Sequence, residues 1–256
     1  MPYGGFRRFR KYVKYWFSSG TKHSVHSPLV YSFYTEVLEK NRKNGRRKIE
    51  RRRKRLVSSK LEIDFTDYGK SGTLVRKKVS DIAKRSLKTK QDARVISRLV
   101  SFYNARRVLE LGTSLGITTA YIAKNKNVEV VTLEGDTNVA NLAKEVWNDL
   151  KLKNITSLVG EFDSNLSLAL EQEYDVVFID GNHRLEPTIR YFNSIVSRSH
   201  PGTILVLDDI HYSKEMEEAW ERVKEHELVK TTVDIFTLGF VFLESSKAEQ
   251  HFVLKY

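Results

Sequence analysis

From Arg107 onward, short apolar runs alternate with longer stretches whose apolar positions recur every three or four residues. The runs at 107–111 (RVLEL), 128–134 (VEVVTLE), 155–160 (ITSLVG), 174–180 (YDVVFID) and 203–209 (TILVLDD) are apolar nearly throughout, as strands buried on both faces are. Helical spacers separate them, so the pattern predicts an α/β fold with a largely parallel sheet. Two further runs, 229–236 and 240–245, are joined by too few residues for a crossover. They predict an antiparallel hairpin at one edge.

The first 106 residues lack this rhythm. Residues 28–41 place Leu29, Phe33, Val37 and Leu38 at helical spacing behind Ser27 and Pro28, which are helix-start signals. Residues 45–60 read as a very basic helix, 61–72 as an extended piece running into a loop, and 77–104 as two more helices. The predicted organisation is a basic, mainly helical extension over 1–75 followed by an α/β domain over 76–256.

Charge sharpens that division. Residues 1–107 carry 30 Lys and Arg against 8 Asp and Glu, whereas 108–256 carry 14 against 24. The run at 40–60 is the densest basic segment, with Glu50 its one acid. Such density is read either as a solvated helix or as a surface for RNA phosphates or anionic lipid headgroups. Phe6, Phe9, Tyr12, Tyr15, Trp16 and Phe17 lie upstream among further basic residues. They either pack on the main domain, stack on bases or sit at a membrane interface. The chain has no cysteine, which excludes disulfides, thiolate metal sites and a cysteine nucleophile. The N-terminal residues lack the apolar core of a signal peptide, and no stretch approaches 18 apolar residues, so a cytoplasmic protein is expected.

The segment LELGTSLGITTAYIA (109–123) reads as a strand, a tight turn carrying Gly112 and Gly116, and a helix. Glycines there let the backbone approach a ligand where the first strand meets the first helix. The spacing is neither that of a dinucleotide fingerprint nor that of a P-loop, so pyrophosphate cradling is disfavoured. Glu134 closes the second strand, where an acid accepts ribose hydroxyls. Together the two features predict a ligand containing adenosine.

In these motifs the chain resembles the class I S-adenosylmethionine-dependent methyltransferases over roughly residues 90–245. The resemblance implies a Rossmann-like seven-stranded sheet ending in an antiparallel hairpin. It also implies cofactor contacts at Glu110, Gly112, Thr113, Ser114, Gly116 and Glu134, with Phe162 and Asp163 at the adenine and Asp180 beside them.

The run YDVVFIDGNH ends in Asp180, and TILVLDDIH ends in Asp208 and Asp209. One helix and a turn connect them, and a right-handed crossover of that size brings the carboxyl ends of parallel strands to one edge. Three carboxylates at one edge call for a cation, and oxygen ligands without sulfur suit Mg²⁺, Mn²⁺ or Ca²⁺. The alternatives are a metal-free polar site or helix capping by the acid pair, for which Ser213 is better placed. The arrangement is similar to the catechol O-methyltransferase branch, which implies a metal held by Asp180, Asp208 and Asp209. Asp209 stands where that branch has an asparagine, and His183 where it has a lysine base. Histidine accepts a proton near neutral pH without a shifted pKa. His211 is a rival base. DGNH with DDI, and HSVHSP at 23–28, are also similar to a broader group of bacterial O-methyltransferases.

The expected enzyme transfers a methyl group to a hydroxyl of a small molecule, sugar or lipid-linked precursor. An RNA nucleoside is the alternative acceptor, and a non-catalytic cofactor-binding module is the alternative to an enzyme. RNA, an anionic membrane surface and a second copy in a homodimer are candidate partners.

Overall fold

The computed structural model describes residues 2–40, 46–66, 73–243 and 249–256. Residues 1, 41–45, 67–72 and 244–248 lie outside them, and with these the first residue of the predicted basic helix, the end of the predicted 61–72 segment and the end of the predicted last strand. The first elements are helices α1 (Gly5–Ser18) and α2 (Pro28–Phe33), the latter continuing as a π-helical turn over Tyr34–Glu39. Then follow α3 (Arg47–Val57), β1 (Glu62–Thr66), β2 (Leu74–Lys78), α4 (Val79–Ser86) and α5 (Lys90–Phe102). Strand and helix next alternate as β3 (Arg107–Leu111), α6 (Ile117–Ala123), β4 (Glu129–Glu134), α7 (Thr137–Asp149), β5 (Ile155–Val159) and α8 (Phe162–Ala169). The last stretch holds β6 (Val176–Ile179), α9 (Leu185–Val196), β7 (Ile204–Asp208), α10 (Lys214–Lys224), β8 (Thr231–Asp234), β9 (Leu238–Phe242) and β10 (Gln250–Val253).

Two compact units divide these elements. One comprises Met1–Lys40 with Glu173–Tyr256, the other Asn41–Gln172. The region expected as one basic extension is shared between them.

In the unit of Asn41–Gln172, β3, β4 and β5 are parallel neighbours in that order. Their inward residues Val108, Leu109, Leu111, Val130 and Leu133 are inaccessible to solvent or nearly so. The basic helix α3 docks through Ile49, which packs with Ala93, Ile117, Tyr121 and Trp147. Arg47, Lys48, Arg51, Lys54 and Arg55 stay exposed. The segment read as an extended piece, a loop and the start of a helix instead forms an antiparallel β1/β2 hairpin, with Ile63 opposite Lys77.

In the other unit the strand order is β10-β8-β9-β7-β6. Strands β6 and β7 are parallel, and β9 runs antiparallel to both β7 and β8, giving the expected hairpin. Beyond the expected seven strands, β10 adds an eighth, parallel to β8. Gly239 of β9 lies against the buried Trp220 of α10, and a Cβ there would stand 2.6 Å from the indole ring. Phe33 of α2 packs on Phe240 and Phe242 at ring separations of 4.8 and 5.8 Å. Helix α1 is held by Tyr15, whose hydroxyl donates to the Leu254 carbonyl and whose ring meets Phe236 at 5.2 Å. Among the described residues no helix is long and apolar enough to cross a membrane.

Candidate active site

The turn after β3 has the backbone that its glycines demand. Gly112 and Gly116 have φ of +100° and +71°, a region that strains any side chain with a Cβ. Ser114, at φ +48°, shares that conformation. The Gly112 and Thr113 amides donate to the Leu133 carbonyl at 3.0 and 3.1 Å, which folds the turn against β4. Gly116 has no room for a side chain, because a Cβ would approach Trp147 Nε1 to 2.5 Å. The Trp147 indole N–H donates to the Gly116 carbonyl at 2.9 Å, so α7 braces the turn.

Two carboxylates stand behind this turn. Glu110 is wholly buried, and its Oε2 accepts from the hydroxyls of Thr119 (2.5 Å) and Thr132 (2.7 Å). Its Oε1 is buried with no hydrogen-bond partner among the described residues. Burial pushes the Glu110 pKa up to about 7, against the two hydroxyls that favour the ionised form. Glu134 accepts from the Ser114 amide at 2.7 Å and from the Asp136 amide at 3.1 Å. Burial raises it also to about 7. Gly160, at φ +127°, ends the turn after β5 and leads into α8, where Phe162 is half-buried and Asp163 exposed. A glycine turn with left-handed backbone, an orphaned carboxylate oxygen and a strand-end acid fit an adenosyl cofactor.

The second set of side chains belongs to the other unit. Ile179 of β6 pairs with Leu207 of β7, so the next residues, Asp180 and Asp208, emerge side by side at the carboxyl ends of two parallel strands. Asp208 is buried and Asp180 half-buried. His183 follows Asp180 on the turn into α9, with its Nε2 3.7 Å from Asp180 Oδ1. One ligand atom each from Asp180, His183 and Asp208 lies within 4.8 Å of the others. Two carboxylates and an imidazole at that separation are a donor set for a divalent cation.

Asp209 points elsewhere. With φ at +51°, it turns away from its neighbour and accepts from Arg8 Nη2 at 3.0 Å. Neither acid caps α10, whose N-cap is Ser213, accepting from the Met216 amide at 3.2 Å.

His211 is fixed between two acids. Its Nε2 is 2.7 Å from Asp234 Oδ2, its Nδ1 is 3.3 Å from Glu217 Oε1, and its ring stacks on Phe236. Burial would depress its pKa, but the paired carboxylates outweigh that and hold it above the usual histidine range. Glu217 is shared with the N-terminal segment, accepting from the Tyr3 hydroxyl at 2.6 Å and from Lys11 Nζ at 2.7 Å. Sequence reasoning missed Tyr3, Arg8 and Lys11. The available signal was Arg8, Lys11 and Tyr15 at i, i+3 and i+7. His23 and His26 lie exposed near the start of α2.

Residues 109–210 match a family model described as a methyltransferase domain. No curated protein matches the sequence. Among solved structures, the chain is similar to an SAH-bound Podospora anserina methyltransferase, PaMTH1. The TM-score is 0.58 at 13% identity, covering 95% of this chain and 98% of that one. An O-methyltransferase from Bacillus cereus in complex with SAH matches with a TM-score of 0.54 at 19% identity, covering 62% of this chain and 83% of that one. The O-methyltransferase TomG from Streptomyces achromogenes, in complex with SAM, matches equally at 0.54 and 19%, with 62% and 82% covered. Residues 109–210 thus resemble a methyltransferase domain, and the chain has the class I S-adenosylmethionine-dependent methyltransferase fold.

Proposed function

We propose that the protein is an O-methyltransferase assisted by a divalent cation, acting on a hydroxyl of a small molecule, sugar or lipid-linked precursor. The observation that carries this reading is the grouping of Asp180, His183 and Asp208 at the carboxyl ends of β6 and β7. The reading assigns the adenosyl cofactor to the turn at Gly112–Gly116, with Glu134 accepting from the ribose hydroxyls and Phe162 and Asp163 at the adenine. Asp180 and Asp208 hold the cation, and His183 takes the proton from the acceptor hydroxyl. When bound, such a cation lowers the pKa of a coordinated hydroxyl. Asp209 keeps the turn in place through Arg8 rather than serving as a ligand. Carboxylate ligands without sulfur suit Mg²⁺, Mn²⁺ or Ca²⁺, and Mn²⁺ is the probe ion. A cytoplasmic location belongs to the same proposal.

Calorimetric titration of Mn²⁺ and of S-adenosylmethionine into chelator-treated protein tests the assignment. Asp208→Ala is expected to abolish the Mn²⁺ heat and leave cofactor binding intact. His183→Ala is expected to keep both heats and to lower methyl transfer to a catechol-type acceptor by about 100-fold or more. Loss of the Mn²⁺ heat in His183→Ala would make His183 a ligand instead of the base. Unchanged Mn²⁺ binding in Asp208→Ala would end the metal reading.

The exposed cations of α3 favour a second reading, in which the acceptor is an RNA nucleoside. It predicts RNA binding that weakens steeply with salt and is lost when the exposed Arg47, Arg51 and Lys54 are neutralised together.

A further inference from the structure

Helix α1 has two faces of different character. On one, Arg8, Lys11 and Tyr15 recur at i, i+3 and i+7 and hold the helix to its own unit through Asp209, Glu217 and the Leu254 carbonyl. On the other, Phe6, Phe9, Val13 and Phe17 recur at i, i+3, i+7 and i+11. Three of these are among the most exposed large apolar side chains described: Phe6 at 77%, Phe9 at 63% and Phe17 at 83%. Trp16, beside them, is 42% exposed. Scattered single apolar residues on a surface need no explanation, but a continuous aromatic stripe along one helix does.

The chemistry around the stripe identifies what covers it. Arg7, Arg10 and Lys14 are exposed, and the 14 residues of α1 contain no acid. Lys255 Nζ stands over the Trp16 ring at 5.0 Å, adding a further cation at the C-terminal end of the helix. Phenylalanines between cations on a helix of low mean hydropathy form an interfacial helix, which lies in the plane of a membrane surface without spanning it. Its aromatic rings reach the boundary between headgroups and acyl chains, and its cations pair with anionic headgroups.

We infer that α1 docks the protein on an anionic lipid membrane surface through Phe6, Phe9 and Phe17, with Arg7, Arg10 and Lys14 supplying the electrostatic attraction. The inference is independent of the proposed reaction, since none of these residues belongs to either cofactor or cation site.

The test is co-sedimentation of the full chain with vesicles of phosphatidylcholine alone or with 30 mol% phosphatidylserine, about the anionic content that gives a physiological surface potential. The full chain should partition onto the anionic vesicles, only weakly onto the neutral ones, and less as salt rises. Phe6→Ser with Phe17→Ser should reduce partitioning by more than about tenfold. Arg10→Gln with Lys14→Gln should reduce it by roughly fivefold per residue on anionic vesicles alone. Both pairs sit on solvent-facing positions, and unchanged thermal unfolding and cofactor binding would show that the fold survives. Failure to bind either vesicle would overturn the inference. So would equal binding by the Phe6/Phe17 variant, which would place membrane contact elsewhere. Two other results would replace it: binding of a single-stranded RNA oligonucleotide without vesicle binding, or a dimer in solution that the Phe6/Phe17 variant dissolves.

Discussion

Gly116 concentrates several demands on one residue. It has positive φ, it starts α6, and its carbonyl receives the Trp147 indole. Gly116→Ala places a methyl group against Trp147 and Ala143 and forces strain that alanine tolerates poorly. We expect a loss of about 1–3 kcal/mol in denaturant unfolding, together with weakened cofactor binding. Glu110 gives a second expectation, in pH. Its carboxyl ionises near 4.5 in the unfolded chain but only near about 7 when folded, so the unfolded state loses its proton first. Stability should therefore fall as pH rises from about 4.5 to about 7 and level off above, a drop on the order of 3 kcal/mol. Glu110→Gln should make that slope shallower, leaving the part due to Glu134, in urea titrations run across the range. Glu134 titrates in the same window, and ribose hydroxyls favour its ionised form. Cofactor affinity should then rise with pH through 7, with proton release visible as buffer-dependent heat. A flat affinity profile would remove Glu134 from ribose recognition.

At the level of elements, Glu217 on α10 ties α1 to the His211 clamp. Glu217→Gln should speed amide exchange across residues 5–18 while leaving that of β6 and β7 unchanged. His211 has a raised pKa, so its contribution is complete below about 6.5 and is lost as pH climbs through the folded value. His211→Gln should remove that pH dependence from the stability curve. The central strands were legible because each is a nearly unbroken apolar run bounded by turn residues, as in VVFI ahead of Asp180. Other elements were not. Strand β10 is QHFV, too short and too polar to announce itself, and it exists by pairing with β8. Strand β2, LVRKK, has the composition of a basic helix start and becomes a strand by pairing with β1. The meeting of Asp180 with Asp208 followed from strand ends and crossover length. The turning of Asp209 toward Arg8 depends on one left-handed φ and on a helix about 200 residues distant in sequence, and periodicity encodes neither.

At the scale of the whole chain, the salt bridge between Arg8 and Asp209 connects the helix inferred to meet a membrane with the residue following a proposed cation ligand. An effector that changes the affinity of a second ligand must have its own affinity changed by the same factor. Vesicles that tighten Mn²⁺ binding therefore have their own binding tightened equally by Mn²⁺. The bridge is partly exposed, with side chains 39% and 21% accessible, and such pairs contribute about 1 kcal/mol at most. The coupling that it carries is limited to roughly fivefold, enough to tune the protein's occupancy at a surface but not to switch it on and off. Arg8→Ala should abolish this reciprocity while leaving each separate affinity nearly intact.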